Sequence, residues 1–511
     1  MSNLSGEINN DVDDQSSSFV VSNISFISVL AIFFCLQTLF GLFDIIESRS
    51  NHAEDLSHHA SSGTNFVIDP VCDQNGSFGF KEGDSCWHYP SRYFAQSLII
   101  GLPILIHGGY IVLKLYAVLL TMFEACLLSM IITRYFNRQS ALLSMIVYLS
   151  LPSVFYYSQM PGVHVSVLAV LVACYWSVPV LMNDEKNSSW GEIRCWSILF
   201  AGPFLNPVIS FAWAAIGMAV LITSPRTKKY RSLSTFLLFG IPVIAYLTHL
   251  QVNSFFGVDP SHMSNRLEQR MDLFAIFSVD YLLIFFDRLF WQLGPIGIGT
   301  ILAFTFYSKR LMAQSKEFLV ILSALFSLGF FTLIILNAAF VGCCRYVVYP
   351  LCSLIPLGVA VIRPRASFSP FTIVIISTSL LLGFSLHGLS TNYHDRSLQE
   401  FVHQNGLDND SLNVIIDSNL AQYHGFQWIL TNNHSVVASS ASIEEMKLVL
   451  LEQDPDTLIL SNHLSSFKGI SDALNESGYC HELIPPHPSI PEHHIQGWLS
   501  ERFPAHAWRK C

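Results

Sequence analysis

The chain reads as a succession of long apolar runs separated by short polar breaks. A bilayer core of about 30 Å needs roughly 20 apolar residues per helix, and on that measure about eleven runs are readable. They lie near 24–43, 110–133, 140–158, 164–182, 195–207, 208–223, 233–252, 293–308, 317–337, 344–362 and 368–388. The fifth and sixth are short, and Pro203, Asn206 and Pro207 fall between or within them, which predicts a tight helical pair that need not fully cross. Beyond residue 389 the pattern changes. LNVIIDS and DTLILSN read as strands, and IEEMKLVLLEQ and FKGISDALNES as helices. Strand alternating with helix predicts a small α/β domain of about 110 residues. No internal repeat is evident, and no low-complexity segment beyond the Ser-rich start.

Composition agrees with the pattern. The 511 residues are 51% hydrophobic and 13% charged, with a mean hydropathy of +0.44, whereas soluble chains carry about 25% charged residues. A disordered chain is excluded by 39 Phe and 9 Trp, and a nucleic-acid binder is disfavoured by a net charge of −10. The expected class is a multi-span α-helical membrane protein of about eleven transmembrane helices, with a small luminal or periplasmic C-terminal α/β domain.

Basic residues orient the spans, because short cytoplasmic loops are enriched in Lys and Arg. With the N-terminus inside, the cytoplasmic loops are TRYFNRQ, MNDEKNSSWGEIR, SPRTKKYRS, YSKRLMAQSK and RPRAS, each with at least two basic residues. Counting the fifth and sixth runs as two elements is what keeps these loops on one side. The tail argues weakly the other way, since Glu7, Asp11, Asp13 and Asp14 stand there without a basic residue. The same lack disfavours a cleaved signal peptide. The expected organisation is a cytoplasmic acidic tail (1–23), a transmembrane domain (24–388) with a luminal loop at 44–109, and a luminal or periplasmic domain (389–511). A further luminal loop is expected from Asn253 to about Leu293.

Cys35, Cys126, Cys174, Cys195, Cys343, Cys344 and Cys352 lie in or beside spans and read as small apolar fillers. Cys72, Cys86, Cys480 and Cys511 fall on the luminal side, where a Cys72–Cys86 disulfide would suit the oxidising compartment. Histidines His52, His58, His59 and His88, with Glu47, Glu54 and Asp55, could hold a divalent metal ion. No paired spacing such as HExxH appears and no CxxC has zinc spacing, so a solvated polar loop is the better reading.

Ionisable groups in or beside spans are costly and therefore informative. Lys114 lies at the luminal start of the second span, where snorkelling and function weigh about equally. Glu124 lies deep in the same span and is expected to pair with another helix rather than to act on a substrate. Arg345, in GCCRYVVYP, opens the tenth span from the luminal side, where a guanidinium suits a bidentate grip on phosphate. After the first span, LFGLFDIIESRSNHAEDLSHHA supplies four acids, Asp44, Glu47, Glu54 and Asp55. Any of them held near the membrane surface could deprotonate an acceptor hydroxyl.

In this order of features the chain resembles the GT-C glycosyltransferases, in particular the branch of protein O-mannosyltransferases and lipid A aminoarabinose transferases. The acidic segment follows the first span. WHYP (87–90) looks like a degenerate form of that family's His- or Lys-Pro-Pro motif, with Ser91 in place of the second proline. In HGGYIVLK, Lys114 stands where the family usually has Arg. LSLPSVFYYSQMPGVH looks like the third span and the turn after it, with His164 where an acid is common. Arg345 and Tyr346, followed by Pro350 and Pro356, look like the family's Arg-Tyr segment.

The resemblance implies a hexosyl- or pentosyltransferase that uses a polyprenyl-phosphate-sugar donor. Arg345, Lys114, His88 and Tyr346 would lie near the donor phosphate, and one of Glu47, Asp55, Glu54 and Asp44 would be the base for an inverting displacement. The acceptor would be a lipid, glycan or protein on the periplasmic face of a bacterial inner membrane, or in the ER lumen. A transporter is disfavoured, because no repeat is visible and the polar weight is luminal. A non-catalytic membrane assembly factor is the other alternative.

Overall fold

The computed structural model describes residues 23–38, 110–158, 161–182, 189–206, 209–223, 228–255, 279–313 and 317–336, and in the C-terminal part 404–407, 412–417, 434–437, 442–465, 469–485 and 504–511, with a few isolated positions besides. Helices come first: α1 (Asn23–Gln37), α2 (Tyr110–Tyr135), α3 (Arg138–Ser150), α4 (Pro152–Tyr157), α5 (Pro161–Val172), a π-helical turn (Ala173–Ser177) running into α6 (Val178–Met182), and α7 (Ser189–Ala201) with a 3₁₀ turn (Gly202–Phe204). Then come α8 (Ile209–Thr223), α9 (Lys228–Phe255), α10 (Val279–Ala313) and α11 (Glu317–Leu336). The first nine apolar runs each fall on one of these helices or helix pairs. The runs near 344–362 and 368–388, the loop 44–109 and Cys72 and Cys86 lie outside the described residues, single positions apart.

Local chemistry explains the joints. Asn137 caps α3, its side chain accepting from the Ser140 amide at 2.8 Å, which turns the chain sharply after α2. Pro152 ends the helix begun at Arg138 and starts α4 at its first position, so the run 140–158 is two helices. Pro179 has no N–H to give to the carbonyl of Tyr175. The helix widens into the π turn just before it, and Arg134 of α2 donates to that Tyr175 carbonyl at 3.2 Å. Gly202 lets Trp213 of α8 press against the 3₁₀ turn: a Cβ at 202 would meet the indole at 2.3 Å, and the indole N–H donates to the Leu199 carbonyl at 2.9 Å. The pair read from Pro203, Asn206 and Pro207 is therefore a closed hairpin whose two arms share one buried tryptophan.

One expectation is corrected. The stretch expected as a luminal loop up to Leu293 contains the first half of α10, which starts at Val279 and breaks at Gly294 (φ 61°, ψ 173°) before Pro295. Val279, Leu283, Phe286 and Phe290 recur at helical spacing and stand exposed. Asp280, Asp287 and Arg288 interrupt the run enough to hide that helix from a search for unbroken apolar stretches.

The bundle is apolar on its outside. Two helical stretches, Leu115–Tyr135 and His164–Leu181, are long and apolar enough to cross a membrane by length and composition, and shorter apolar helices accompany them. On α2, Leu119, Phe123 and Met130 face outward, whereas Thr121 and Glu124 are wholly buried. On α9, Val243, Ile244 and Leu247 are exposed while Leu238, Ile241 and Ala245 are buried. A water-facing helix carries its polar residues outside, so this inversion fits a lipid surround.

The C-terminal part contains a mixed five-stranded sheet in the order β2-β1-β3-β5-β4. Its strands are β1 (Val414–Asp417), β2 (His434–Val437), β3 (Thr457–Leu460), β4 (Tyr479–Ile484) and β5 (Ala505–Lys510), with α12 (Ile443–Gln453), α13 (Asn462–Ser465) and α14 (Ile470–Glu476) between them. β1 is parallel to both β2 and β3, and β5 runs antiparallel to β3 and β4. The central β1 and β3 are buried along their length, as unbroken apolar strands should be when both faces are covered. Met446, Leu450, Ile470, Leu474 and Trp508 pack on them. A disulfide joins Cys480 of β4 to Cys511, just after β5, and ties the edge strand down.

Candidate functional site

Of the residues singled out in the sequence, Asp44, Glu47, Glu54, Asp55, His88, Arg345 and Tyr346 lie outside the described residues. Lys114 is within α2, a turn from its start, and its side chain is outside them too. What the structure does place is the end of the bundle to which several of these residues are tied by the chain.

Two contacts orient α1. The Arg138 guanidinium, at the start of α3, donates to the Asn23 side chain at the start of α1, and the Gln37 amide, at the end of α1, donates to the Phe155 carbonyl of α4 at 3.0 Å. So α1 runs parallel to α3 and α4, and α2 returns antiparallel beside them. The end of α1, from which the acidic segment departs, therefore lies at the same end of the bundle as Lys114. Gln37 is buried there, its amide held by a backbone carbonyl rather than by solvent.

Ten residues into α2 from Lys114, about 15 Å along the axis, Glu124 is enclosed by three helices. Its two carboxylate oxygens each lie 2.9 Å from Nδ1 of His164 on α5, and the Tyr148 hydroxyl of α3 donates to one of them at 3.0 Å. Glu124, Tyr148 and His164 are all fully shielded. Close by on α5, Ser166 accepts from the Asn206 amide at 2.9 Å, so the chain just after the 3₁₀ turn is held to the same helix. With no exposed edge, the Glu124 carboxylate is placed to clamp α2, α3 and α5 together, not to reach a substrate. Pairing of Glu124 across helices was expected from the sequence. Its partner was not, although a signal existed: between 115 and 133 the one charged side chain is Glu124, and between 161 and 182 the one imidazole is His164.

Among the described residues no group of three or more His, Cys, Asp or Glu converges as a metal site would require. The histidine and acid cluster of the first loop lies outside them.

No protein-family model matches the sequence, and no curated protein matches it. Solved structures do. ArnT from Cupriavidus metallidurans bound to undecaprenyl phosphate aligns over 96% of this chain and 98% of its own, with a TM-score of 0.59 at 10% identity. The same protein in the apo state aligns over 94% and 97%, with a TM-score of 0.55 at 9% identity. At such identities the likeness is one of fold, and it runs almost end to end in both chains. The chain has the fold of ArnT.

Proposed function

We propose that this chain is an integral membrane glycosyltransferase that moves a sugar from a polyprenyl-phosphate-linked donor to an acceptor on the periplasmic face of a bacterial inner membrane. The ER lumen is the alternative compartment. The observation that carries the reading is the near end-to-end fold likeness to a protein solved with undecaprenyl phosphate bound. Three features support it. The bundle presents apolar side chains such as Leu119, Phe123 and Val243 outward and buries Thr121, Glu124 and His164. Lys114 and the end of α1, after which the acidic segment follows in sequence, share one end of the bundle. The Cys480–Cys511 disulfide suits an oxidising compartment for the C-terminal part, in line with eleven crossings from a cytoplasmic N-terminus.

In this reading Arg345 and Lys114, with His88 and Tyr346, bind the donor phosphate. One of Glu47, Asp55, Glu54 and Asp44 takes the proton of the acceptor hydroxyl. The acceptor oxygen attacks the anomeric carbon from the face opposite the lipid phosphate. The bond from that carbon to the phosphate oxygen breaks, and its electron pair leaves with the phosphate, so the configuration inverts. Fixed cations in a water-poor site stabilise the charge that develops on the leaving phosphate.

The test is mass spectrometry of lipids that co-purify with the detergent-extracted protein. A polyprenyl phosphate or its glycosylated form is expected with the parent protein. Arg345→Lys keeps the charge but loses the planar fork, and should retain membrane insertion while losing most of that lipid. Recovery of no polyprenyl phosphate by the parent, even when it is supplied, would remove the donor class.

A further inference from the structure

β4 and β5 pair so that His481 lies opposite Trp508 and Leu483 opposite His506. By strand alternation His481, His506 and Trp508 share one face, the face covered by α13 and α14. Their rings form a row: His506 stacks on His481 at 5.1 Å between centroids, and His481 lies against the Trp508 indole at 4.6 Å. Between this row and the two helices is a cavity of about 370 Å³, walled on the helix side by Asn462, Ser465, Ser471 and Asn475.

The lining has a definite chemistry. Among the described residues it contains amides, hydroxyls, imidazoles and an indole, and no Asp, Glu, Lys or Arg. Among those residues an anion finds no cation, and a metal ion finds two imidazoles without a third His, Cys, Asp or Glu. Nε2 of His506 faces the Asn462 amide oxygen at 3.5 Å, and its Nδ1 lies 2.9 Å from Nε2 of His481. In the tautomers that satisfy both contacts, His506 donates from Nε2 and accepts at Nδ1, His481 donates from Nε2, and Nδ1 of His481 remains an acceptor. The Trp508 indole, only 3% exposed, has an N–H with no hydrogen-bond partner among the described residues. A buried donor of that kind calls for a ligand or ordered water. Neutral donors and acceptors grouped around an aromatic row match a sugar, which has a rim of hydroxyls and no charge.

We propose that this cavity is a saccharide-binding site. That it holds an acceptor glycan near the membrane rests on the transferase reading above, whereas saccharide binding itself does not. The experiment uses the full chain in lipid nanodiscs, free of glycoside detergents, with saturation-transfer NMR against the methyl glycosides of glucose, galactose, mannose and N-acetylglucosamine and their disaccharides. At least one should bind. Asn475→Ala and His481→Ala, both at exposed positions, and Trp508→Phe, which keeps the packed ring, should each weaken binding by about tenfold, the loss of a hydrogen bond or ring contact. The site is overturned if no saccharide binds, if all three variants bind like the parent, or if zinc ion binds and is lost in His481→Ala while no sugar does. Sugar binding lost in the variants, in a chain without transferase turnover under any donor, would sustain the site and sink the transferase reading. Turnover by a chain whose cavity binds no sugar would do the reverse.

Discussion

Glu124 shows how one buried residue can be read two ways until its neighbours are known. A carboxylate between an imidazole and a phenol looks like a proton-transfer site, yet complete burial leaves it no substrate to meet. Leaving a buried hydrogen-bonding group without its partner costs about 1–3 kcal/mol, more where the group is charged, whereas replacing both partners by apolar groups of similar shape is often tolerated. Glu124→Leu should therefore lower the thermal unfolding midpoint of the purified protein markedly, and Glu124→Leu with His164→Leu should recover part of the loss. A double variant as unstable as the sum of its singles would mean that the two side chains do not act as a pair. The loop acids make the opposite case. If Glu47 or Asp55 is the base, Glu47→Gln or Asp55→Asn should cut turnover by roughly 100-fold or more while donor binding persists. Full activity in both would transfer the role to Asp44 or Glu54, and activity in all four variants would remove the mechanism. These residues were singled out by charge beside an apolar span, a property any sequence displays. His164 was not paired with Glu124 beforehand because contact between residues 40 positions apart depends on which helices pack.

At the scale of elements, unbroken apolar runs were legible whatever their length, and mixed ones were not. The strands VIID and TLIL and the helices at 443–453 and 470–476 lie where the pattern put them, since each has its own period or an unbroken apolar stretch. β4 (YCHELI) and β5 (AHAWRK) mix polar with apolar residues and gain their strand form from pairing, β5 with both β3 and β4. The first half of α10 escaped for a related reason, its charges breaking the run. The β4–β5 pair also carries a pH dependence. Burial first, and the neighbouring His481 second, hold His506 below the ordinary imidazole range. A histidine whose folded pKa is depressed favours the folded state fully when neutral, and that stability fades as pH falls below the unfolded value near 6.5. Protection factors for 479–484 and 505–510, taken relative to the intrinsic exchange rate at each pH, should accordingly fall between pH 7.5 and 5.5, and His506→Gln should flatten the response. Protection that rises on acidification in the parent would reverse the assigned sign.

For the whole molecule, side matters more than any single contact. The parity of the spans, the Cys480–Cys511 disulfide and the neutral cavity beside it all bear on whether the C-terminal part faces an oxidising, glycan-bearing compartment. A reporter fused after Cys511 should be active only on the non-cytoplasmic side, and protease added to spheroplasts or opened microsomes should reach it. Access from the cytoplasm alone would overturn the span count and the site assignment together. The helices were legible from hydropathy because most of them are unbroken apolar runs. The candidate site was legible only as a set of residue types, because loops far apart in sequence must meet to build it.

The π turn before Pro179 has a bearing on how the chain is made. If the chain spans a membrane as proposed, the segment 161–182 carries groups that lipid cannot satisfy, among them the His164 imidazole and the Tyr175 carbonyl. Both find partners on α2, in Glu124 and Arg134. Because α2 is synthesised first, the ribosome delivers the receiving helix before the one that depends on it, and insertion of the later segment becomes an act of docking.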